Sequence, residues 1–556
     1  MMTPWKEKKL RKRLDASFGK PPEKDYFAGD MERIRTFYDA CRGGEADRFH
    51  VDETTWKDLN LDDLYKRLNA CQCTAGEQYL YYMLRTPMTQ AAYPKQQNLI
   101  RLMEARPETR RKLQLLLSGI GGSRDVDLTT VFHPKESSPF WLILYCLMGL
   151  ALVAAVLTAA FLGINYIVLP LAVVIMNTWL HTFRRNTCEH EINRVNYCVS
   201  LILALNRLKK QKLPELEPYL TDAYEHLRYM KPIIRSGPVA STINADRVQD
   251  AVLVNTMLDL IAFEILKRRL AKYHEHFLVV HQAIGRIDAS IAIASFRAGI
   301  SVWCEPEIDF SADHPYLRVK GMVHPLLKEP VPNDLPLDRS MLITGSNASG
   351  KSTYLRTAVI CAIMAQTLCT SACKSYAGSA FRIYTSLALA DDLLAGESGY
   401  IAEIKSLKRI MDARNQEGFI LCAIDEILRG TNTIERIAAS AEILKALNRC
   451  GSLCLVATHD AELCAITGDD YQLAHFEETV SDREMRFDYK LKPGPAETRN
   501  AIRLLKLMGF ADAIVDAAYA RADDYTRTGK WIAVFKYLWI ACCVHHPGPG
   551  VIGGRG

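Results

Sequence analysis

A glycine-rich stretch near the middle of the chain has the residue types and spacing needed to hold a phosphate. The stretch LITGSNASGKSTYLRTAVI covers residues 342 to 360 and fits the pattern G-x-x-x-x-G-K-[ST] between an apolar strand and a helix. In such a loop the backbone N–H groups curl round phosphates at a helix amino terminus. Lys351 would supply charge to the β and γ phosphates, and the Ser352 hydroxyl can ligate magnesium. The pattern predicts nucleotide binding, and the residues expected to contact the nucleotide are Gly345, Ser346, Asn347, Ala348, Ser349, Gly350, Lys351, Ser352 and Thr353.

Two later apolar segments end in side chains suited to phosphoryl transfer. GFILCAIDEI, residues 418 to 427, ends in two carboxylates, of which Asp425 would hold the magnesium shell and Glu426 would orient and polarise the attacking water. SLCLVATHD, residues 452 to 460, ends in Thr458 and His459, and the histidine could report the γ-phosphate to the fold. Taken singly, the acidic pair could be a capped strand end and the histidine structural. The three strand ends together favour a shared site, because the carboxyl ends of parallel strands meet at one sheet edge.

Length and composition bound the class of protein. A chain of 556 residues exceeds the size of one core, so two or more domains are expected. The net charge of +6 permits contact with nucleic acid or anionic lipid without requiring either. Sixteen cysteines without paired spacing fit free thiols in a reducing cytosol. The groups CQC at 71 to 73 and CCVHH at 542 to 546 lack the second ligand pair of a readable tetrahedral metal site.

The segment from Ser137 to Phe183 contains no Asp, Glu, Lys or Arg. Because a bilayer core takes about 20 helical residues, it divides at residues 163 to 165 into a helix from about Phe140 to Leu162 and another from about Tyr166 to Phe183. The alternative is a buried hairpin of a soluble domain, but the first helix lacks the polar stripe of such helices. The prediction is an internal transmembrane hairpin that returns the chain to its starting side. Both flanking parts are then cytoplasmic, and Arg184 with Arg185 fits a cytoplasmic exit.

The remaining segments complete the predicted organisation. The basic run KEKKLRKR at 6 to 13 reads as a solvated end or, alternatively, as a contact for lipid or nucleic-acid phosphate. Residues 30 to 120 and 186 to 300 have helical apolar spacing, and from Met341 strands alternate with helices. The predicted units are a basic segment (1–30), a first helical part (31–136), the transmembrane hairpin (137–183), a second helical part (184–310), an α/β ATPase domain with carboxyl-terminal helices (311–525) and a disordered tail (526–556).

The later motifs resemble those of the MutS family, DNA mismatch-repair proteins within the ABC-type ATPases. VHPLL at 323 to 327 is similar to the family's segment beside the adenine, which implies that His324 contacts the base. ALADDLLAGESGYIAEI at 388 to 404 resembles its signature segment, in which Ser398 would reach the γ-phosphate of a partner subunit. DEILRGTNTIERIAASAEIL, ATHDAEL and the segment from 493 resemble its acidic, histidine and carboxyl-terminal elements. The resemblance implies an ABC-type P-loop NTPase fold like MutS domain V, with ATP, Mg²⁺ and a homodimer.

The resemblance extends upstream and also has departures. Residues 61 to 89 and 287 to 308 are similar to the start and end of the family's helical core, which implies an all-α core interrupted by the hairpin. No Phe in residues 1 to 60 precedes a Glu by two positions, so the mismatch-stacking wedge is not expected, and the long lever helices and DNA clamp have little room. Leu428 stands where the family usually has Gly, Gly399 and Tyr400 replace a Thr-Phe pair, and no carboxyl-terminal nuclease module follows.

Two functions follow from these patterns. The first is a membrane-anchored, MutS-like dimeric ATPase with ATP-dependent DNA binding, linked by resemblance to mismatch repair or damage sensing, without direct mismatch recognition. The second is a membrane scaffold or sensor whose ATP state controls a protein partner and which touches no nucleic acid. A basic stripe on the core helices would favour the first, and a mixed-charge or apolar face the second.

Overall fold

A computed structural model describes most of the chain. The described residues are 4–45, 47–122, 131, 139–236, 251–346, 349–387, 399–448, 451–480, 485–496 and 501–531. Among them, helices occupy the chain as far as Gly299, and strands begin at Glu307.

The amino-terminal part is a set of packed helices. They are α1 (Pro4–Ser17), α2 (Asp30–Arg42), α3 (Glu53–Asp58), α4 (Leu61–Leu68), α5 (Thr74–Arg85), α6 (Tyr93–Ala105), α7 (Pro107–Ile120), α8 (Phe140–Leu162), α9 (Val168–Thr187), α10 (Glu189–Gln211), α11 (Glu217–His226), α12 (Lys231–Arg235), α13 (Ala251–Thr256), α14 (Leu258–Lys272) and α15 (His274–Gly299). Short 3₁₀ turns occupy Ile164–Ile167 and Pro214–Leu216. The expected helical content of both flanks of the hairpin is confirmed.

Helix α15 is the centre of this helical part and crosses α5 at close range. A Cβ atom on Gly285 would lie 2.5 Å from the carbonyl oxygen of Ala75, so the crossing requires a glycine. Nearby, the buried carboxylate of Asp288 accepts hydrogen bonds from the backbone nitrogens of Gln72 (2.8 Å) and Cys73 (2.9 Å) at the start of α5. These donors are otherwise unpaired at a helix amino terminus, so the aspartate fixes the two helices to each other.

Helices α8 and α9 form the apolar hairpin. Helix α8 has the predicted bounds, whereas α9 begins at Val168 and ends at Thr187, because a 3₁₀ turn takes residues 164 to 167 and the helix continues through the two arginines. Three helices of the described chain are long and apolar enough to cross a membrane, and the third is α15. The apolar windows of the hairpin helices are only 11% buried, whereas that of α15 is 72% buried. Helix α15 is therefore a core helix, and the hairpin surface is open.

Polar contacts with α13 and α14 hold the hairpin along the second half of α9. The buried Asn177 side chain donates to the carbonyl oxygens of Asn255 (2.8 Å) and Met148 (3.3 Å). One turn further on, His181 Nε2 lies 2.8 Å from Asp259 Oδ2, and Arg185 contacts the same oxygen at 3.0 Å. These contacts attach the hairpin to the helical part at fixed points.

The described residues of the carboxyl-terminal part contain ten strands in two sheets. The strands are β1 (Glu307–Asp309), β2 (Leu317–Met322), β3 (Asn333–Leu337), β4 (Met341–Thr344), β5 (Ser375–Ser379), β6 (Phe381–Ser386), β7 (Phe419–Asp425), β8 (Ser452–Ala457), β9 (Gln472–Val480) and β10 (Met485–Pro493). The helices are α16 (Lys351–Leu368), α17 (Gly399–Ala413), α18 (Thr433–Asn448), α19 (Ala461–Thr467), α20 (Ala501–Leu507) and α21 (Asp512–Thr528). This mixture of strands and helices confirms the expected α/β class.

The larger sheet has the order β10-β9-β4-β8-β7-β6, in which every pair but β9 and β10 is parallel. The predicted parallel sheet is thus confirmed. The smaller sheet, β1-β5-β2-β3, was not predicted, because its strands are short and carry charged residues in place of apolar runs. It begins with β1 at Glu307, ahead of both Met341, where strands were expected to start, and the predicted boundary at residue 311.

Hydrogen bonds join the helical part to the larger sheet at two places. Buried Arg297 near the end of α15 donates to the carbonyl oxygen of Cys369 (2.6 Å) and to Thr370 (2.8 Å), just after α16. At the end of α3, Asp58 accepts from the Thr385 hydroxyl (2.7 Å) and the Leu387 backbone nitrogen (2.9 Å) at the end of β6. The helical part is thus attached to the chain just after α16 and to the end of the edge strand β6.

Candidate functional site

The glycines of the phosphate loop occupy backbone conformations that favour glycine. Gly345 has φ of 137° and Gly350 has φ of 102°, both in the left-handed half of conformational space. A Cβ on Gly345 would lie 2.7 Å from the carbonyl oxygen of Phe476, and one on Gly350 would lie 3.1 Å from the Tyr489 ring. Ser349 donates to the carbonyl oxygen of Ser346 at 2.7 Å and tightens the turn. The predicted residues Asn347 and Ala348 lie outside the described residues.

Lys351 is the first residue of α16, and its side chain is buried. Its ammonium donates to the carbonyl oxygens of Gly345 (2.6 Å) and Ser346 (2.8 Å), and it lies 3.4 Å from His459 Nε2. Burial lowers the lysine pKa to about 8, while the nearby carboxylates Asp425 and Glu426 oppose the decrease. A buried cation held by neutral carbonyls at a helix amino terminus is a fitting partner for an anion such as phosphate.

Ser352 and Asp425 meet at the same edge. The Ser352 hydroxyl donates to Asp425 Oδ2, and the aspartate is the last residue of β7, paired in register with Ala457 of β8. A hydroxyl beside a carboxylate is an oxygen donor set of the kind that magnesium accepts in nucleotide sites. Within the described residues no group of three or more His, Cys, Asp or Glu forms a metal site. Cys71 and Cys73 are among these residues, whereas CCVHH lies outside them.

Glu426 is held between two basic side chains. Its Oε1 lies 2.7 Å from His459 Nε2, and its Oε2 contacts Arg429 Nε. The hydrogen bond from His459 lowers the pKa of Glu426, and the charge of Arg429 acts in the same direction. The carboxylate is therefore ionised at neutral pH. Sequence reasoning placed Glu426 and His459 at neighbouring strand ends, but it missed Arg429, whose only sequence signal is its position three residues after the glutamate.

The backbone that follows Glu426 is locally strained. Glu426 has φ of 57° and Leu428 has φ of 59°, a region that costs a non-glycine residue about 1 to 2 kcal/mol. Leu428 is the residue that departs from the resembled pattern, and its buried side chain packs in the cluster beneath β7 and β8. Its backbone nitrogen donates to Glu403 of α17. Packing and this hydrogen bond therefore hold a leucine where a glycine would fit without strain.

A cleft of about 390 Å³ opens beside the phosphate loop. Its walls include His324, Gly350, Ser352, Thr353, Phe476 and Tyr489. Burial and the charge of Arg356 lower the pKa of His324, so the imidazole is neutral at pH 7. The structure thus brings the predicted His324 and Thr353 to the mouth of the loop.

Two residues of this region were missed by sequence reasoning. Tyr489 lies at an irregularity of the β9–β10 pairing with φ of 52°, and its carbonyl oxygen accepts a hydrogen bond from Asn333 at 2.9 Å. Glu478 of β9 accepts a hydrogen bond from the Ser346 hydroxyl. Neither residue belongs to a recognisable motif. The predicted Ser398 lies outside the described residues, so the structure does not relate it to the site.

The fold and the site define an α/β protein with a glycine loop at the carboxyl edge of a mainly parallel sheet. Residues 341–525 match the family model of MutS domain V. This part of the chain is therefore similar to domain V of MutS proteins, in agreement with the resemblance of its motifs.

Curated relatives agree over about half of the chain. It is 30% identical over 278 residues to "DNA mismatch repair protein MutS" of Natronomonas pharaonis, covering 48% of this chain and 31% of that protein. It is 27% identical over 307 residues to "DNA mismatch repair protein MutS 2" of Halobacterium salinarum, covering 53% and 34%. It is 29% identical over 304 residues to "DNA mismatch repair protein MutS" of Lactobacillus helveticus, covering 52% and 34%. These matches span about a third of the length of each relative.

The strain at Leu428 gives a test that separates backbone from side chain. Leu428→Ala and Leu428→Gly both remove the buried side chain, but only glycine relieves the left-handed backbone. We expect the glycine variant to be more stable than the alanine variant by about 1 kcal/mol in chemical denaturation. At the adjacent Ile427, also buried and without a positive φ, the order should be reversed, with alanine more stable. The same order at both positions would contradict the strain.

Proposed function

We propose that the chain is a membrane-anchored ATP hydrolase of the MutS family, whose nucleotide state controls DNA binding in a process related to mismatch repair or damage sensing. The observation that carries the proposal is the meeting of Lys351, the Ser352–Asp425 pair and the Glu426–His459 pair at one sheet edge within a MutS domain V. Direct mismatch recognition is not included, since residues 1 to 60 carry no Phe-x-Glu wedge.

In this P-loop ATPase the roles follow from the contacts. The loop from Gly345 to Thr353 would surround the phosphates, with Lys351 turning from its carbonyl partners to the β and γ groups. Ser352 and Asp425 would hold Mg²⁺, which when bound neutralises phosphate charge. The cleft with His324 and Tyr489 would take the base. Glu426 would orient the attacking water. His459, whose Nε2 lies 2.7 Å from the Glu426 carboxylate, would hold that carboxylate in place.

Glu426→Gln should separate binding from hydrolysis. The amide keeps the size of the side chain but loses the negative charge that polarises water, so ATP hydrolysis should fall at least about a hundredfold while ATP binding persists. Lys351→Ala should abolish binding or turnover. Glu417→Gln, an exposed substitution near the other end of β7, is the matched control and should have normal activity. Wild-type turnover by Glu426→Gln would eliminate the proposed base.

The active form is proposed to be a homodimer through the ATPase domain. The family resemblance supports it, because there the signature serine, here Ser398, completes the ATP site of a partner subunit. Helix α17 begins one residue later, at Gly399. Its Glu403 accepts a hydrogen bond from the backbone nitrogen of Leu428, in the segment that follows β7. The role of Ser398 remains a prediction.

The proposed anchor is the α8–α9 hairpin, with both flanking parts in the cytoplasm. Its support is exposure: large apolar side chains such as Leu150 (66% exposed) and Leu171 (61%) have no protein cover, in contrast to the equally long helix α15. Apolar surface of this extent is stabilised by hydrocarbon.

Cysteine accessibility tests the anchor with a matched pair. The background replaces by serine the cysteines that are exposed, partly exposed or outside the described residues, which are Cys41, Cys146, Cys304, Cys450, Cys542 and Cys543. In it, Leu150→Cys and Tyr229→Cys introduce thiols at sites of similar exposure, 66% and 55%, on the hairpin and on the helical part. In membrane vesicles open to the cytoplasmic face, a water-soluble maleimide should label position 229 at least about tenfold faster, because lipid covers position 150. Detergent denaturation should make the two rates similar. Equal labelling in intact vesicles would contradict membrane insertion.

DNA binding is the feature that separates the two proposed functions. Neutralisation of phosphates by Lys and Arg makes affinity fall with salt, by about 0.9 logarithmic units per contact for each tenfold increase. We expect the detergent-solubilised protein to bind duplex DNA with such a salt dependence. Addition of ATP to the Glu426→Gln variant should change its affinity for DNA. Absence of binding at low salt would favour the scaffold or sensor that controls a protein partner.

A further inference from the structure

A second cleft, of about 350 Å³, lies in the helical part away from the phosphate loop. Helix α5, the loop that follows it, α6 and α15 form its walls. Three basic residues line it, Arg48, Lys95 and Arg286, together with Tyr79, Tyr82 and Met88. None of these residues contributes to the ATP site proposed above.

The positive charges of this cleft are only partly compensated. Arg48 donates through Nη1 to Tyr82 and Glu45 and through Nη2 to the carbonyl oxygen of Pro87, but its buried Nε has no partner. Among the described residues, Arg286 donates only through Nε, to Gln96 at 2.8 Å. Lys95 is exposed and makes no ion pair with any described residue. Glu45 therefore offsets one charge of three.

Aromatic and apolar side chains complete the lining. The Tyr79 and Tyr82 rings lie 5.7 Å apart between centroids, and the thioethers of Met83 and Met88 extend the surface. Burial raises the pKa of Tyr79, so its hydroxyl is protonated and able to donate at neutral pH. A cleft that is lined by both guanidinium donors and aromatic rings suits a ligand with an anionic group and a flat body.

We propose that this cleft binds a small phosphorylated molecule with an aromatic body, of about the size of a nucleoside monophosphate. Arg286 and Lys95 recognise the phosphate, since an arginine fork matches phosphate oxygens and lysine adds a point charge. The volume lies in the usual range of small-molecule sites. The Met88 backbone nitrogen donates to the carbonyl oxygen of Gln366 at 3.0 Å, so the cleft wall is attached to the end of α16 opposite Lys351.

Binding can be measured on full-length detergent-solubilised protein carrying Lys351→Ala, which removes the ammonium that the proposed ATP site uses to hold phosphate. Isothermal titration calorimetry measures the binding of three probes: AMP, inorganic phosphate and uncharged adenosine. Saturable AMP binding should be tighter than phosphate binding, and adenosine should bind about tenfold or more weakly than AMP, the loss expected for charge-assisted hydrogen bonds. Phosphate binding equal to that of AMP would overturn the aromatic part of the proposal.

Charge-removing variants locate the site. Lys95→Gln and Arg286→Gln should each weaken AMP binding about tenfold, whereas Lys210→Gln, an exposed change on α10, should leave it unchanged. Melting temperatures check the fold, and if Arg286→Gln is unstable the exposed Lys95→Gln decides alone. Absence of saturable AMP and phosphate binding, or AMP affinity unaffected by Lys95→Gln, would overturn the proposal.

Discussion

The buried ammonium of Lys351 is the constraint on which the candidate site depends. Its direct partners are two backbone carbonyls of the loop, while the nearest carboxylates are engaged elsewhere, Asp425 with Ser352 and Glu426 with His459 and Arg429. Desolvation therefore leaves a positive charge without a counter-charge in direct contact, and burial lowers the lysine pKa to about 8. An anion at the start of α16 would supply the missing partner, which supports the proposed phosphate site at this loop.

The sheet order explains how residues far apart in sequence reach that ammonium. Strand β8 lies between β4 and β7, so His459, just beyond β8, stands between the loop after β4 and the glutamate after β7. The contacts of His459 Nε2 with both Lys351 (3.4 Å) and Glu426 (2.7 Å) follow from this order. A different order of the same strands would separate the histidine from one of them.

The parts that sequence could predict are those fixed by local chemistry. The glycine loop needs particular residues at fixed spacing, and the hairpin helices follow from the absence of charge, so the loop and the bounds of α8 were predicted. Arg429, Tyr489 and Glu478 were not, because their positions depend on a left-handed backbone after β7, an irregularity in β10 and a register between distant strands. The left-handed backbone of Leu428 was also not predicted, because leucine rarely adopts that conformation and only the packing of the folded chain imposes it.

The contacts between the helices and the sheet determine which movements are possible around the site. Asp58 holds the backbone of Leu387, the last described residue before the segment 388–398, and Asp52 pairs with Arg409 of α17, which follows that segment. Leu387 and Arg409 are thus attached to the same short helix, α3, the first at its last residue and the second at its amino-terminal cap. Burial raises the pKa of Asp58, so this carboxylate is costly to leave without its donors. A displacement of β6 or α17 would therefore move α3 with it, and through α3 the helical part that is joined to the hairpin.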